Sequence, residues 1–208
     1  MDASPVDLSS LPLAPIEPAP GMIPPSGVGP YREADYLALP EEPRLELIEG
    51  RYYVSPAPIT LHQIVSFELS TWIAGLRRRT GGQALTAPID LRLADHTILQ
   101  PDLLYFGRER RQPLGARLTA LPDLVIEILS PSTSSRDRVH KARLYAEHGV
   151  REYWIVDPAG RVFDFFVLVD GRYQLQPHDG ASYESTALDG VAIDLAEFWR
   201  GVDSQIEP

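Results

Sequence analysis

Residues 122–158 read PDLVIEILSPSTSSRDRVHKARLYAEHGVREYWIVDP, and their reading decides the fold. Leu124–Leu129 is a short, nearly continuous apolar run, the composition of a strand covered on both faces. Ser130–Pro131 ends it. Ser134 and Asp137 then form a capping-box-like start to a helix that runs to about His148 and stops at Gly149. REYWIVD (residues 151–157) is the next strand. DPAG turns it into RVFDFFVLV, and Asp170–Gly171 turns that strand into RYQLQ.

Upstream, residues 61–79 carry Leu61, Val65, Leu69, Trp72, Ile73 and Leu76 at helical spacing, with Thr60 as the expected N-cap and Gly81–Gly82 as the stop. ALTAPIDLRL and TILQPDLLYF flank the polar turn Ala94–His96 and predict a hairpin. RLELIEG followed by RYYVSP predicts another, turning at Glu49–Gly50. A short helix is expected over Glu33–Leu39. Helix, three strands, helix and strand, with extra hairpins at both ends, make a mixed α/β core.

Residues 1–30 hold eight of the 20 prolines and almost no periodic pattern. They read as a flexible or polyproline-like tail, with Gly27–Pro30 as its punctuation, so the folded domain is expected over residues 31–208. The chain of 208 residues is 44% hydrophobic and 23% charged, enough to bury a real core in one domain. It has no cysteine, which excludes a thiol nucleophile, a disulfide scaffold and Cys-ligated metal. The N-terminus lacks a signal-peptide pattern and no stretch approaches a membrane span, so a cytoplasmic protein is expected.

The net charge of −10 argues against a protein that coats nucleic acid non-specifically. Its distribution is uneven: residues 107–143 carry four acids and eight bases, whereas residues 144–208 carry twelve acids and four bases. A basic middle in an acidic chain permits a confined polyanion site. Arg77, Arg78 and Arg79 add a second basic cluster, which also reads as cations at a helix C-terminus.

Three charged residues stand where charge is expensive. Glu127 interrupts the apolar run, and Asp102 sits between Leu99 and Leu103–Tyr105 just after Pro101. A covered carboxylate must be paired or bind a metal. Two acids on adjacent strands can converge on one divalent ion, and oxygen donors with few protein ligands suit Mg²⁺ or Mn²⁺. A structural salt bridge with Arg is the alternative for either acid alone. Asp123 is four residues from Glu127, about 13 Å along a strand, too far to share an ion; it reads as a strand-start turn residue. Among 19 basic residues only Lys141 is a lysine. Arg fills every other cationic position, so Lys141 reads either as a place where a point-charge ammonium is wanted or as one surface lysine surviving by chance, which composition alone favours; an ordinary surface pair with Asp137 is a further alternative.

Pro101–Asp102, then Glu127, with a lysine nearby, resembles the PD-(D/E)XK nuclease superfamily. More narrowly, residues 122–158, together with RLELIEGRYYVSPAP, LHQIV and LQPDLLYF in the same order, resemble the Uma-two-type family of bacterial restriction endonucleases. The resemblance covers about residues 31–200. It implies a restriction-endonuclease-like mixed β-sheet flanked by helices, and Mg²⁺-dependent (or Mn²⁺-dependent) hydrolysis of DNA phosphodiester bonds, with a homodimer addressing both strands. It implies Asp102 and Glu127 as metal ligands, with the carbonyl of Ile128 as a candidate third. The superfamily's lysine stands two residues after the acid, where this chain has Leu129; the family's shifted lysine matches Lys141. Glu46 matches the acid of the first hairpin and is a candidate for the metal shell, or else a strand-surface charge. His62 matches a family histidine that could bind phosphate or water; by spacing it is also a hydrogen-bonded boundary residue. Tyr145 supports the site or simply packs. The remaining alternatives are a non-catalytic module for nucleic-acid or protein contact and a metal phosphodiesterase acting on nucleotides or RNA.

Overall fold

The computed structural model describes residues 27–40, 43–55, 58–111, 118–130 and 136–206. Its centre is the apolar run itself. Leu124–Ile128 forms β7, buried along its whole length, and it pairs in parallel with β8 (Glu152–Asp157). The remaining neighbours are antiparallel: β9 (Val162–Val169) and β10 (Arg172–Leu175) on one side, β6 (Leu103–Phe106) and β3 (Gln83–Thr86) on the other. The six-stranded sheet has the order β10-β9-β8-β7-β6-β3. Parallel β7 and β8 need a crossover, which the chain makes through α3 (Ala142–His148).

Side chains alternate across this sheet. Leu124, Ile126 and Ile128 join Trp154 and Phe165 under α2 (Thr60–Thr80) and α4 (Leu195–Ile206). Val125 and Leu129 join Tyr153, Leu144 and Tyr145 on the α3 face. A second sheet, ordered β2-β1-β5-β4, contributes Ile48, Tyr53, Leu91 and Leu99 to that same α3-side core. Its strands are β1 (Leu45–Ile48), β2 (Arg51–Val54), β4 (Leu91–Ala94) and β5 (Thr97–Leu99). The outer face, with Leu47, Tyr52 and Ile98, is covered by Tyr31, Tyr36 and Leu39 beside α1 (Glu33–Tyr36). A small hairpin of β11 (Ser182–Glu184) and β12 (Ala192–Asp194) precedes α4. No described helix is long and apolar enough to cross a membrane.

Several expectations need correction. Thr60 is the first helical residue rather than the cap: Ile59 is the N-cap, without a side-chain bond, and Gly81 closes α2 at φ +72° as expected. ALTAPIDLRL and TILQPDLLYF do not each form one strand. Pro88 and Pro101 lack the N–H a ladder requires, so each run breaks there, giving β3 and β6 to the central sheet and β4 and β5 to the other. The helix after β7 does not open as an α-helix: Arg136–Lys141 forms a π-helical turn that leads into α3. Ser134 lies outside the described residues. Gly27–Pro30 is not mere tail: the Gly29 amide donates to the Glu49 carbonyl over 2.7 Å. A Cβ on Gly29 would collide with the Gly50 carbonyl, so only glycine permits this approach.

Candidate active site

β7 presents Glu127 on the α3 face, between Val125 and Leu129, near the end of the strand. The antiparallel register pairs Leu103 with Ile126. One step further along both chains sets Asp102 opposite Glu127. Asp102 lies just outside β6, because the preceding Pro101 interrupts the ladder. Its Oδ2 accepts a 2.8 Å hydrogen bond from the Ile128 amide, which fixes the carboxylate against the end of β7.

Three elements close over this strand end. The π-helical turn delivers Lys141, only 3% exposed, so that Nζ lies 2.9 Å from Glu127 Oε1 and 2.9 Å from Glu46 Oε1. One helical turn on, the Tyr145 hydroxyl donates to the same Glu127 oxygen over 2.8 Å. β1 of the second sheet supplies Glu46, 1% exposed, whose Oε1 also accepts from the Gln100 amide at 2.8 Å. The first turn of α2 brings His62, with Nε2 3.5 Å from Asp102 Oδ1. His62 Nδ1 is buried with no hydrogen-bond partner among the described residues, as is Gln100 Oε1.

The alternatives left open by the sequence resolve here. Glu46 is buried rather than a strand-surface charge, and Lys141 is buried and bridges two carboxylates, while the side chain of Asp137 lies outside the described residues. Tyr145 packs in the α3-side core and also donates to Glu127. Burial first, and then the charge of Glu127, drives its phenol pKa well above the ordinary value, so it stays a neutral donor. Glu49, by contrast, is the turn residue, at φ +47°, and pairs with Arg143 at 2.8 Å. Asp123, 2% exposed at the start of β7, accepts from the Gly107 amide and belongs to a separate network. Leu129, where the superfamily places its lysine, is buried in the α3-side core.

Two contributors escaped sequence reading. Gln100 joins the site to Tyr36 and Asp90, with its side-chain amide 3.2 and 2.9 Å from their oxygens. Its signal was a polar amide directly before Pro101–Asp102. Arg138 anchors the π-helical turn to β9 through Asp164 at 2.6 Å. Its signal was a second cation three positions before Lys141.

As a donor set, Asp102 and Glu127 offer hard carboxylate oxygens from adjacent strands, the type Mg²⁺ and Mn²⁺ take. Among the described residues no three acids or histidines are already gathered as a metal cage. The Ile128 amide fixes Asp102 and the Tyr145 hydroxyl fixes Glu127, and this pair of carboxylates fits such an ion.

Residues 33–196 match the family model Uma2, described as "Putative restriction endonuclease". A protein of Synechocystis sp. (strain ATCC 27184 / PCC 6803 / Kazusa), described as uncharacterized, is 26% identical over 177 residues, which is 81% of this chain and 90% of that protein. The crystal structure of a protein from Anabaena variabilis ATCC 29413, described as a putative nuclease belonging to DUF820, aligns with a TM-score of 0.70 at 22% identity. The alignment covers 83% of this chain and 99% of that one, and the shared fold is restriction-endonuclease-like.

Proposed function

We propose, from the premise that this chain belongs to the Uma2 family, that it is a Mg²⁺-dependent endonuclease hydrolysing phosphodiester bonds of DNA, with Mn²⁺ able to substitute. The observation that carries this reading is the convergence of Lys141 on Glu127 and Glu46 at the strand end where Asp102 meets His62. Asp102 and Glu127 would hold the ion, with Glu46 completing the shell. When bound, the ion supplies Lewis acidity, lowering the pKa of water and offsetting phosphate charge.

The chain's own groups do the rest. Ile128 N–H orients Asp102, while Tyr145 and Lys141 hold one oxygen of Glu127 and leave its orientation fixed. Lys141 stands where its ammonium stabilises negative charge developing on phosphorus or orients the attacking water. His62, at the rim of the same strand end, binds a phosphate oxygen or water. The protein acts in the cytoplasm, as a homodimer in which two sites address the two strands.

Cleavage of supercoiled plasmid and short duplex DNA with Mg²⁺ or Mn²⁺ tests this, comparing wild type with Asp102→Ala and Lys141→Ala. Both substitutions should abolish cleavage while circular dichroism reports an intact fold. Cleavage unaffected by both would remove the assigned roles. A second reading, a non-catalytic module that keeps the fold, is favoured by Leu129 at the usual lysine position. No cleavage and no ion-dependent rise in melting temperature would select it.

A further inference from the structure

The chain passes between its two large sheets at two places. It leaves the central sheet between β3 and β4, over residues 87–90, and returns between β5 and β6, over residues 100–102. The acid cluster straddles this junction. Glu127 comes from the central sheet, Glu46 from the second, and Asp102 from the return crossing itself. Their mutual placement therefore depends on what fixes the crossings.

The two crossings are tied to each other twice. The Ala87 amide donates to the Asp102 carbonyl at 2.8 Å. The Gln100 side-chain amide donates one N–H to Asp90 Oδ1 at 2.9 Å and the other to the Tyr36 hydroxyl at 3.2 Å, so both of its donors are committed. The Tyr36 hydroxyl lies 3.1 Å from Asp90 Oδ1 and 3.1 Å from the carbonyl of Leu45, the residue before Glu46, and can give its single proton to either. Burial first, and then the charge of Asp90, raises the Tyr36 pKa, so the hydroxyl keeps that proton.

Gln100 carries this arrangement to the acids through its backbone. Its own amide donates to Glu46 Oε1 at 2.8 Å. Two residues on, Asp102 takes the Ile128 amide at 2.8 Å. Between them Pro101 fixes φ, and a residue before proline is confined to extended backbone, so the segment has little freedom to absorb a shift. Lys141 also joins Glu46 to Glu127, but a point charge attracts from any direction, whereas hydrogen bonds impose one.

We propose that Tyr36, Asp90 and Gln100 form a brace between the two sheets that positions Glu46 and Asp102. They are positioning residues, and their consequence for catalysis rests on the hydrolysis proposed above. Asp90 is the anchor, because it accepts from both of the others and a charged acceptor makes the stronger bond.

Backbone hydrogen exchange of the full ¹⁵N-labelled chain tests the brace, read at the Gln100 amide, which holds Glu46, and at the Ile128 amide, which holds Asp102. Asp90→Ala should speed exchange at both by about tenfold, the loss of a hydrogen bond to a charged acceptor. Amides of the β8–β9 ladder should keep their wild-type rates, which a general loss of stability would not allow. Asp90→Asn keeps an oxygen that accepts from Gln100 and Tyr36, so it should restore slow exchange. Gln100→Leu retains the backbone N–H and removes the side-chain donors; it should repeat the effect at Ile128 and carries the test if Asp90→Ala does not fold. In plasmid cleavage, Asp90→Ala should lower kcat with little change in KM. A wild type that cleaves nothing strikes the proposed hydrolysis, while the exchange rates still decide the brace. Wild-type exchange at Ile128 in both Asp90→Ala and Gln100→Leu, equal acceleration in Asp90→Asn, or acceleration shared by the β8–β9 ladder overturns it.

Discussion

Lys141 Nζ lies 2.9 Å from Glu127 Oε1, and the pair is buried. The chain's lone lysine thus reaches the acid that interrupts the buried strand β7, 14 residues earlier. Glu46 stands at the same distance from Nζ, so one ammonium holds two carboxylates that would otherwise repel. Removing one member of such a set is costly because the others are left buried and charged.

Lys141→Met should therefore lower unfolding free energy by about 3–5 kcal/mol in urea titrations. Adding Glu127→Gln should restore part of the loss, with a coupling energy above about 1 kcal/mol in the double-mutant cycle. Additive effects would show that the two groups do not share one network.

Asp102→Asn should leave stability nearly unchanged, because an amide oxygen can still accept from Ile128 N–H. It should instead remove the response to metal. At tenfold excess over Kd, Mg²⁺ or Mn²⁺ should stabilise wild type by about 1.4 kcal/mol, a rise in melting temperature of about 3–5 °C. An equal rise in the variant would place the ion elsewhere.

Tyr145→Phe should lose about 1–2 kcal/mol of stability, as expected for a buried donor to a charged acceptor. Burial and Glu127 both disfavour the phenolate and raise its pKa. The hydroxyl therefore stays protonated through alkaline pH, and the pH profile of cleavage should show no limb from Tyr145 up to pH 10. A limb near pH 10 that disappears in Tyr145→Phe would contradict the neutral-donor role.

Glu152 offers a pH test remote from the site. It is fully buried on β8, accepting from Trp154 Nε1 at 2.7 Å, Tyr183 OH at 2.9 Å and Ser185 Oγ. Burial raises its pKa more than these donors lower it. The native state then holds the proton more tightly than the unfolded chain, so this group's contribution to stability falls as pH rises through and above the ordinary carboxylate range. Glu152→Gln lacks that dependence. Its melting temperature relative to wild type should improve between pH 4 and pH 8. A difference independent of pH would mean that folding leaves the Glu152 carboxyl's affinity for its proton unchanged.

Local pattern made much of this protein legible. A run of six positions with five apolar residues has the composition of a covered strand, and the β9–β10 and β1–β2 hairpins followed from turns at Asp170–Gly171 and Glu49–Gly50. The spacing of Val65, Leu69, Ile73 and Leu76 required one face of a helix. Asp102, Glu127 and Lys141 were marked by the cost of charge in apolar surroundings and by the scarcity of lysine, both properties of the sequence alone.

What remained depended on distance in space rather than along the chain. Pro88 and Pro101 each split an apolar run, but only the packed structure decides that the two halves enter different sheets. The burial of Glu46 comes from the second sheet closing on α3, which no alternation of Leu45, Glu46 and Leu47 reveals. The convergence of Arg110 and Arg151 on Asp123 joins residues up to 41 positions apart through adjacent strand ends. Periodicity and composition act over a few residues and so are written in the sequence; burial and charge pairing act through tertiary contacts, and only the fold assigns them.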